Sequence, residues 1–198
     1  NFNKKIENLP NSLTHLTFGD NFNQKIKIFP NSLTHLTFGS KFNRSLAHSL
    51  DKLTSLTHIN FGKFFNQPLD NALENCTSLT NLVFGDGFNQ PLGNALENCT
   101  ELTILVFGKL FDCPLSNSLK NCTELTILVF GEHFDQPLGD SLDNCSSLTH
   151  IKFSRNFSQP LSNFLHNHPL LVHLELGYEF NQKIDLPYNI RILSLNCN

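Results

Sequence analysis

The sequence predicts an α/β repeat solenoid, an arc with about nine short parallel strands on its concave side. Turns, extended segments or single helical turns are expected on the opposite side. Three observations lead to this prediction: a phenylalanine recurs at a fixed period, one alternating apolar segment lies in each period, and a turn-forming segment follows each phenylalanine. Such a period is typical of a chain in which each unit buries its apolar face against its neighbours.

Nine phenylalanines carry the period, and they are separated by 20, 20 and then six times 23 residues. They are Phe2, Phe22, Phe42, Phe65, Phe88, Phe111, Phe134, Phe157 and Phe180. We therefore predict one repeat array over residues 1–198, with 20-residue units to about residue 41, 23-residue units over 42–179 and a short C-terminal unit over 180–198. The first unit lacks its strand half and the sequence contains no methionine, so we expect further residues upstream of Asn1.

The strand segment of each unit reads Leu-x-x-Leu-x-Phe-Gly. It is intact at residues 13–19, 33–39, 79–85, 102–108 and 125–131. Alternation of the last two apolar positions predicts a strand that points one side chain inward, one outward and one inward. The glycine is expected to end the strand at a turn.

The corner segment reads Phe-Asn-Gln-Pro-Leu, as at residues 65–69 and 88–92. Proline removes a backbone donor, which predicts a tight corner rather than a central strand. In the long units, residues 70–75 have room for about one helical turn, whereas the short units pass through Pro10 and Pro30 in extended geometry. An asparagine column, beginning at Asn3 and Asn23, is expected to bond nearby backbone groups in the turns.

These segments resemble two repeat families. Leu-x-x-Leu-x-Phe looks like the strand of a leucine-rich repeat, and residues 2–39 resemble the FNIP repeat. The 23-residue units, with Leu-x-Asn-Cys-Thr-x-Leu-Thr, are similar to the bacterial surface type of leucine-rich repeat. FNIP repeats in social amoebae and in giant viruses of amoebae often follow an F-box, so the resemblance implies a substrate-recognition arm of a ubiquitin ligase if an F-box lies upstream.

Composition narrows the class of partner. The 14 basic and 17 acidic residues give a net charge of -3, which is too balanced for a nucleic-acid track. No apolar stretch approaches the roughly 20 residues of a membrane helix, and no apolar signal region opens the chain. We therefore expect a protein partner, no nucleic acid, no membrane and an intracellular location, which would be the host cytoplasm for a viral protein.

The outward positions of the strands predict a candidate binding patch on the concave side. Two outward columns are polar at both ends of the array and apolar in the middle, at Val83, Ile104, Val106, Ile127 and Val129. Phe64 and Leu110 follow the strand glycines and extend this set, and His58 and His150 flank it. An exposed apolar patch of several hundred Å² favours an interface. The alternative is that β-branched residues only satisfy strand propensity.

We interpret the histidines and cysteines that recur at fixed repeat positions as structural residues. Zinc requires three or four converging ligands, and no carboxylate or thiol is placed to complete a site with the histidines, so we predict no metal and no cofactor. Cys76, Cys99, Cys122 and Cys145 share one repeat position and predict an internal column of free thiols. Cys113 and Cys197 have no predictable partner.

No unique catalytic set or phosphate-binding loop breaks the repeat, so we predict no enzymatic activity. The first functional hypothesis is a protein-binding module that uses the concave face. The alternative is a structural or self-associating repeat protein that meets a copy of itself through the patch or through its uncapped ends.

Overall fold

A computed structural model describes residues 2–196, so Cys197 lies outside the described residues. Within this range nine strands form one sheet in chain order, and every neighbouring pair is parallel. The strands are β1 His15–Thr17, β2 His35–Thr37, β3 His58–Asn60, β4 Asn81–Val83, β5 Ile104–Val106, β6 Ile127–Val129, β7 His150–Lys152, β8 His173–Leu176 and β9 Ile192–Leu195. The predicted repeat solenoid is confirmed.

Each strand is short because only the centre of the Leu-x-x-Leu-x-Phe segment pairs with both neighbours. In β5, for example, Leu105 is buried while Ile104 and Val106 are half-buried on the outward side. The strand register aligns equivalent repeat positions, so Leu82 pairs with Leu105 and Leu105 with Leu128. The outward side chains of all the strands therefore lie on one face of the sheet, which we call the strand face.

Helix is sparse on the side opposite the strand face. A 3₁₀ turn covers Ala47–Leu50, and α1 covers Ser162–Asn167. The predicted helical turn at residues 70–75 is instead a series of hydrogen-bonded turns, in which Ala72 N donates to Leu69 O and Glu74 N to Asn71 O. Asp70 has φ of 46°, a left-handed conformation that is incompatible with the start of an α-helix.

Two phenylalanine columns fill the core. Rings of the corner column, from Phe2 to Phe180, stack on the next coil with centroids 6.0–6.3 Å apart. Rings of the strand column, from Phe18 to Phe153, are 5.3–5.8 Å apart between coils. Within a coil the two columns meet at 3.8–4.3 Å. Each column phenylalanine from Phe22 to Phe134 therefore contacts rings in its own coil and in both neighbouring coils.

Polar columns hold successive coils together. Asn43 Oδ1 accepts from the backbone N–H of Asn66, and Asn66 Oδ1 accepts from that of Asn89. The backbone groups that these asparagines bond belong to the next coil. Threonines beside the strands link the coils in the opposite direction, where Thr57 Oγ1 donates to Thr34 O of the preceding coil at 3.0 Å.

The predicted thiol column is buried and free at Cys76, Cys99, Cys122 and Cys145. Cys99 Sγ lies 3.9 Å from Leu73 O in the preceding coil. One coil beyond Cys145 the same position is His168, whose Nε2 lies 3.0 Å from Leu142 O and whose Nδ1 lies 2.7 Å from Phe164 O. The imidazole thus contacts the carbonyl group equivalent to the one that the thiols contact. It also makes a second contact, with a carbonyl group of α1.

Candidate protein-binding face

The five predicted residues at the centre of the strand face are brought together by the strand register. Val83 pairs with Val106, Val106 with Val129, and Ile104 with Ile127. All five side chains are half-buried, because each one is flanked by its equivalents on neighbouring strands. We call Val83, Ile104, Val106, Ile127 and Val129 the apolar patch.

The other predicted residues lie outside the apolar patch. Phe64 and Leu110 lie in the loops after β3 and β5, where they are 54% and 47% exposed. His150 pairs directly with Ile127. His58 is one strand farther away, because Asn81 of β4 lies between His58 and Ile104.

Histidines dominate the strand face over β1–β3. The rings of His15, His35 and His58 stack with centroids 4.2 Å apart and interplanar angles of 10° and 12°. Burial, and then the charges of the neighbouring His58 and His15, lower the pKa of His35. The neutral form of the His35 imidazole is therefore favoured, because a charged ring at this position would be desolvated and would repel a charged neighbour.

Threonines fix the tautomer of these histidines. Thr34 Oγ1 already donates its hydrogen to Thr14 O, so at 2.9 Å from His35 Nδ1 it accepts from the ring. The same pairs join Thr57 to His58 and Thr149 to His150, each at 2.8 Å. In the neutral ring Nδ1 then carries the hydrogen, and Nε2 is left as an acceptor.

Charged groups enter the strand face at β7 and β8. Lys152 Nζ lies 2.9 Å from Glu175 Oε2, and Glu175 Oε1 lies 3.4 Å from His173 Nε2. A carboxylate therefore lies beside one of the strand histidines. Among residues 2–196, however, no group of three or more His, Cys, Asp or Glu side chains is arranged to hold a metal ion.

Sequence reasoning missed a depression of about 150 Å³ between the apolar patch and this charged group. Ile127 and Val129 line one side, and His150, His173 and Glu175 line the other. Its signal in the sequence is Val172, which interrupts the threonine column immediately before His173.

A wider depression of about 860 Å³ lies on the turn side of the coils, beside α1. It is lined by ionisable residues that include Asp140, Asp143, His166, Lys183 and Asp185. All five are exposed, and His166 Nε2 and Asp185 Oδ2 are 3.8 Å apart. This region is an open gap between coils of unequal length, so the strand face is the better candidate despite its smaller depression.

No helix within the described residues is long and apolar enough to cross a membrane. The four internal thiols are unreactive, because burial raises the pKa of each of them to about 12. The half-buried Cys113 differs from them, since its Sγ lies 3.3 Å from Asn89 Oδ1.

Comparison with known proteins agrees with this architecture. The FNIP Repeat family model matches residues 2–41, and the BspA type Leucine rich repeat region model, of six copies, matches residues 93–185. No curated protein matches the sequence.

Two solved structures are similar. One is CroV588 from a giant virus, described as a novel circular LRR protein structure, with 40% identity and a TM-score of 0.84 over 98% of this chain. This chain spans 29% of the length of CroV588. The other is an internalin, inlF, from Listeria monocytogenes str. 4b F2365, with 18% identity and a TM-score of 0.57 over 83% of this chain and 54% of its own.

At 18% identity the internalin shows only that the fold is similar. The family models and CroV588 also have the type of repeat that the columns of the structure show. The chain is therefore a leucine-rich-repeat-like solenoid, in which residues 2–41 match the FNIP repeat and residues 93–185 match the BspA-type leucine-rich repeat.

Proposed function

We propose that this chain is a non-catalytic module that binds a protein partner through its strand face. The observation that carries the proposal is the apolar patch, whose five side chains are adjacent across three paired strands. Leucine-rich repeats are commonly protein-interaction scaffolds, which supports the same class of function. Phe64 and Leu110 supply further exposed apolar surface in the loops after β3 and β5.

The size of the patch limits its affinity. Burying roughly 400 Å² of apolar surface at about 25 cal/mol per Å² contributes on the order of 10 kcal/mol. Association itself costs an estimated 4 to 15 kcal/mol. The patch alone therefore supports weak to moderate binding, and tight binding needs contacts from the histidines and charged groups on either side.

A pull-down with three matched proteins tests the proposal. The test variant combines Val106→Lys with Ile127→Lys, and the control is Thr37→Lys, which lies on the same face but in the polar region of β2. A partner captured by the wild type and the control, but lost from the double variant, is the expected result. Equal capture by all three folded proteins would contradict binding through the apolar patch.

Self-association is the second candidate function. The two end coils expose apolar side chains, with Phe2 58%, Ile192 50% and Leu195 54% exposed. The solved relative is described as circular, and a head-to-tail contact between the ends of solenoids is one route to a ring. Light scattering distinguishes the possibilities: a mass that rises with concentration supports self-association, and loss of that rise in the patch double variant would assign it to the patch rather than the ends.

The biological setting is part of the proposal. In a longer protein that carries an F-box, the strand face would present a substrate to a ubiquitin ligase. We also propose a reducing intracellular compartment, supported by the free thiols at Cys76, Cys99, Cys122 and Cys145. For a viral protein this compartment would be the host cytoplasm.

A further inference from the structure

A groove of about 570 Å³ lies at the edge of the strand face, beside the loops that follow the strands. On the strand side it is lined by Val129 and Lys152. On the loop side it is lined by the residues that come directly after the strand glycine position, which we call the loop row: Asp86, Lys109, Glu132, Arg155 and Tyr178. Val129 also belongs to the apolar patch, so the groove continues the surface that we propose as the binding face.

The groove is a consequence of the glycine column. A Cβ at Gly131 would collide with the backbone of Gly108, so the close approach of the coils requires glycine here. The missing side chain leaves a channel between the strands and the loop row, and Gly131 lines it. Backbone hydrogen bonds between successive loops, such as Glu179 N to Arg155 O at 3.0 Å, hold the loop row in place. The groove is therefore formed before any partner arrives.

Most of the surface that the groove exposes is apolar. Phe107, Phe130 and Phe153 line it from the core side. Val129 is half-buried and Tyr178 is 43% exposed, so both are accessible to a partner. The volume lies within the roughly 300–1,000 Å³ that is typical of ligand sites. An apolar side chain is thus the group that gains most by entering.

The charged side chains of the groove compensate each other except at one end. Lys109 Nζ lies 3.0 Å from Glu132 Oε1. Asp86 lies on the other side of Lys109 in the loop row, and the hydrogen bond to Glu132, followed by the charges of Glu132 and Asp86, raises the pKa of Lys109. Lys152 Nζ lies 2.9 Å from Glu175 Oε2 on the strand face. These charges are therefore met by neighbours within the chain.

Arg155 is the cation that is left. It is exposed, and within residues 2–196 its guanidinium makes no ion pair but lies 5.4 Å from the centroid of the Tyr178 ring. The hydrogen bond from Lys109 lowers the pKa of Glu132 most and the charge of Arg155 lowers it least, so Glu132 does little to neutralise Arg155. A guanidinium stacked on a ring keeps N–H groups free at its edge, where a carboxylate accepts two of them. This end of the groove therefore selects an acidic group.

We propose that the groove receives a segment of the protein partner that carries an apolar side chain beside an acidic one, with the apolar side chain against Val129 and the carboxylate on Arg155. The proposal rests on the proposed function, because it names the segment that the edge of the strand face receives. Charge complementarity of this kind gives specificity to an interface more than it gives affinity.

The test uses blocked peptides as probes of the wild-type protein: acetyl-Leu-Val-Leu-Glu-amide and the same peptide ending in Gln or in Lys. NMR should show saturable shifts at the Val129 methyls and at Arg155 Nε–H with the Glu peptide, at a dissociation constant on the order of millimolar. The Gln peptide should bind about twofold to fivefold more weakly, and the Lys peptide more weakly still. Equal dissociation constants for the three peptides, or no saturable shift at Val129, would overturn the proposal.

A charge reversal makes the test specific to this end of the groove. Arg155→Glu should reverse the order of the peptides, so that the Lys peptide binds more tightly than the Glu peptide. The control is Lys63→Glu, which changes the same repeat position in the loop after β3 but lies outside the groove. This control should keep the wild-type order, and thermal midpoints show that both variants fold. An unchanged order in Arg155→Glu, or an equal reversal in Lys63→Glu, would contradict binding at Arg155.

The source of the segment is tested separately. Asp185 of this chain is exposed and stands between Ile184 and Leu186, so a second copy carries the same chemistry. Light scattering of the wild type beside Asp185→Asn should show the same mass at every concentration. A self-association that disappears in Asp185→Asn would assign the segment to a second copy and overturn a foreign partner.

The outcomes for this inference and for the proposed function are distinguishable. Reversal of the peptide order in Arg155→Glu needs no partner protein, so it supports the groove as a site even if the pull-down shows no role for the apolar patch. A partner lost from the patch double variant, without any preference of the wild type among the peptides, supports the proposed function and removes the acidic segment.

Discussion

The interior of the solenoid and its strand face follow the same period but differ in how strictly they keep it. The two phenylalanines recur in every coil from Phe18 to Phe157, and most of these coils also repeat the glycine, the threonine and the inter-coil asparagine. In the next coil Leu176 takes the strand position. The outward positions instead change from histidine and threonine at β2, through valine and isoleucine at β5, to lysine and glutamate at β7 and β8. Side chains that meet their own copies in the next coil must keep a constant shape, whereas outward side chains are free of that requirement.

This difference separates stability from recognition in the molecule. Substitutions in the interior columns should lower the free energy of unfolding and affect binding only through loss of the folded state. Substitutions on the strand face should leave folding nearly unchanged and alter binding directly.

Alkaline titration should give the largest interior effect, because it acts on four thiols together. Burial raises the pKa of Cys76, Cys99, Cys122 and Cys145 from the ordinary value of 9.0 to about 12. The unfolded chain therefore releases these protons first, so stability is complete below pH 9 and falls between pH 9 and 12. The fall should approach about 1.4 kcal/mol per thiol for each pH unit, measured by urea unfolding at successive pH values.

The control for this experiment replaces all four column thiols with alanine. That protein is less stable at pH 7, but its stability should depend much less on pH above 9. An equal alkaline loss in the two proteins would assign the effect to lysine and tyrosine instead of the thiols.

Removal of an interior ring should give the next largest effect. Phe88 is fully buried and stacks on Phe65, Phe111 and Phe84, so Phe88→Ala should destabilise the protein by about 3–5 kcal/mol. Phe2 belongs to the same column but is 58% exposed in the end coil, and Phe2→Ala should cost less than about 1 kcal/mol. Urea unfolding of both variants measures the comparison, and similar losses would show that the end coil is as well packed as the interior.

Glycine substitutions test how closely the coils approach each other. A Cβ at position 62 would lie 1.9 Å from Gly39 O, so Gly62→Ala should force neighbouring coils apart and cost about 1–3 kcal/mol or more. A Cβ at Gly19 meets nothing within 4 Å, because no described coil lies before it on that side. Gly19→Ala should therefore leave the thermal midpoint nearly unchanged, and a loss equal to that of Gly62→Ala would mean that backbone conformation, rather than coil contact, requires the glycine.

The sequence predicts the strands and the apolar patch well because both depend on repetition. Once Leu82, Leu105 and Leu128 are recognised as one position, their pairing follows, and so does the pairing of Val83, Val106 and Val129. The alternation within each segment then determines which side chains point outward. Whether a partner covers the patch is a separate question, and it stays a prediction.

The side-chain contacts between coils could not be predicted in the same way. An asparagine has a local preference for turns, but Asn66 bonds the N–H of Asn89, 23 residues ahead, because stacking brings that group closer than its own turn. Residues 70–75 likewise suit a helical turn by composition, and the left-handed Asp70 prevents it. The depression beside His173 was missed because it depends on how the side chains of β6, β7 and β8 pack together.

Substitution of surface charges should have the smallest effect on stability. Such charges show that regular spacing alone does not make a column of side chains structural. Lys109 and Glu132 are paired at 3.0 Å on adjacent coils, but both side chains are about half exposed, at 54% and 52%. The pair raises the pKa of Lys109 and lowers that of Glu132. Exposed pairs of this kind contribute little to stability, because water and salt screen them.

Glu132→Gln should therefore leave the thermal midpoint unchanged at about 0.15 M salt, and any small loss should appear only at low ionic strength. A clear fall in the thermal midpoint at about 0.15 M salt would show that Lys109 and Glu132 stabilise the fold as the interior columns do. The stabilising part of the molecule would then include this exposed pair.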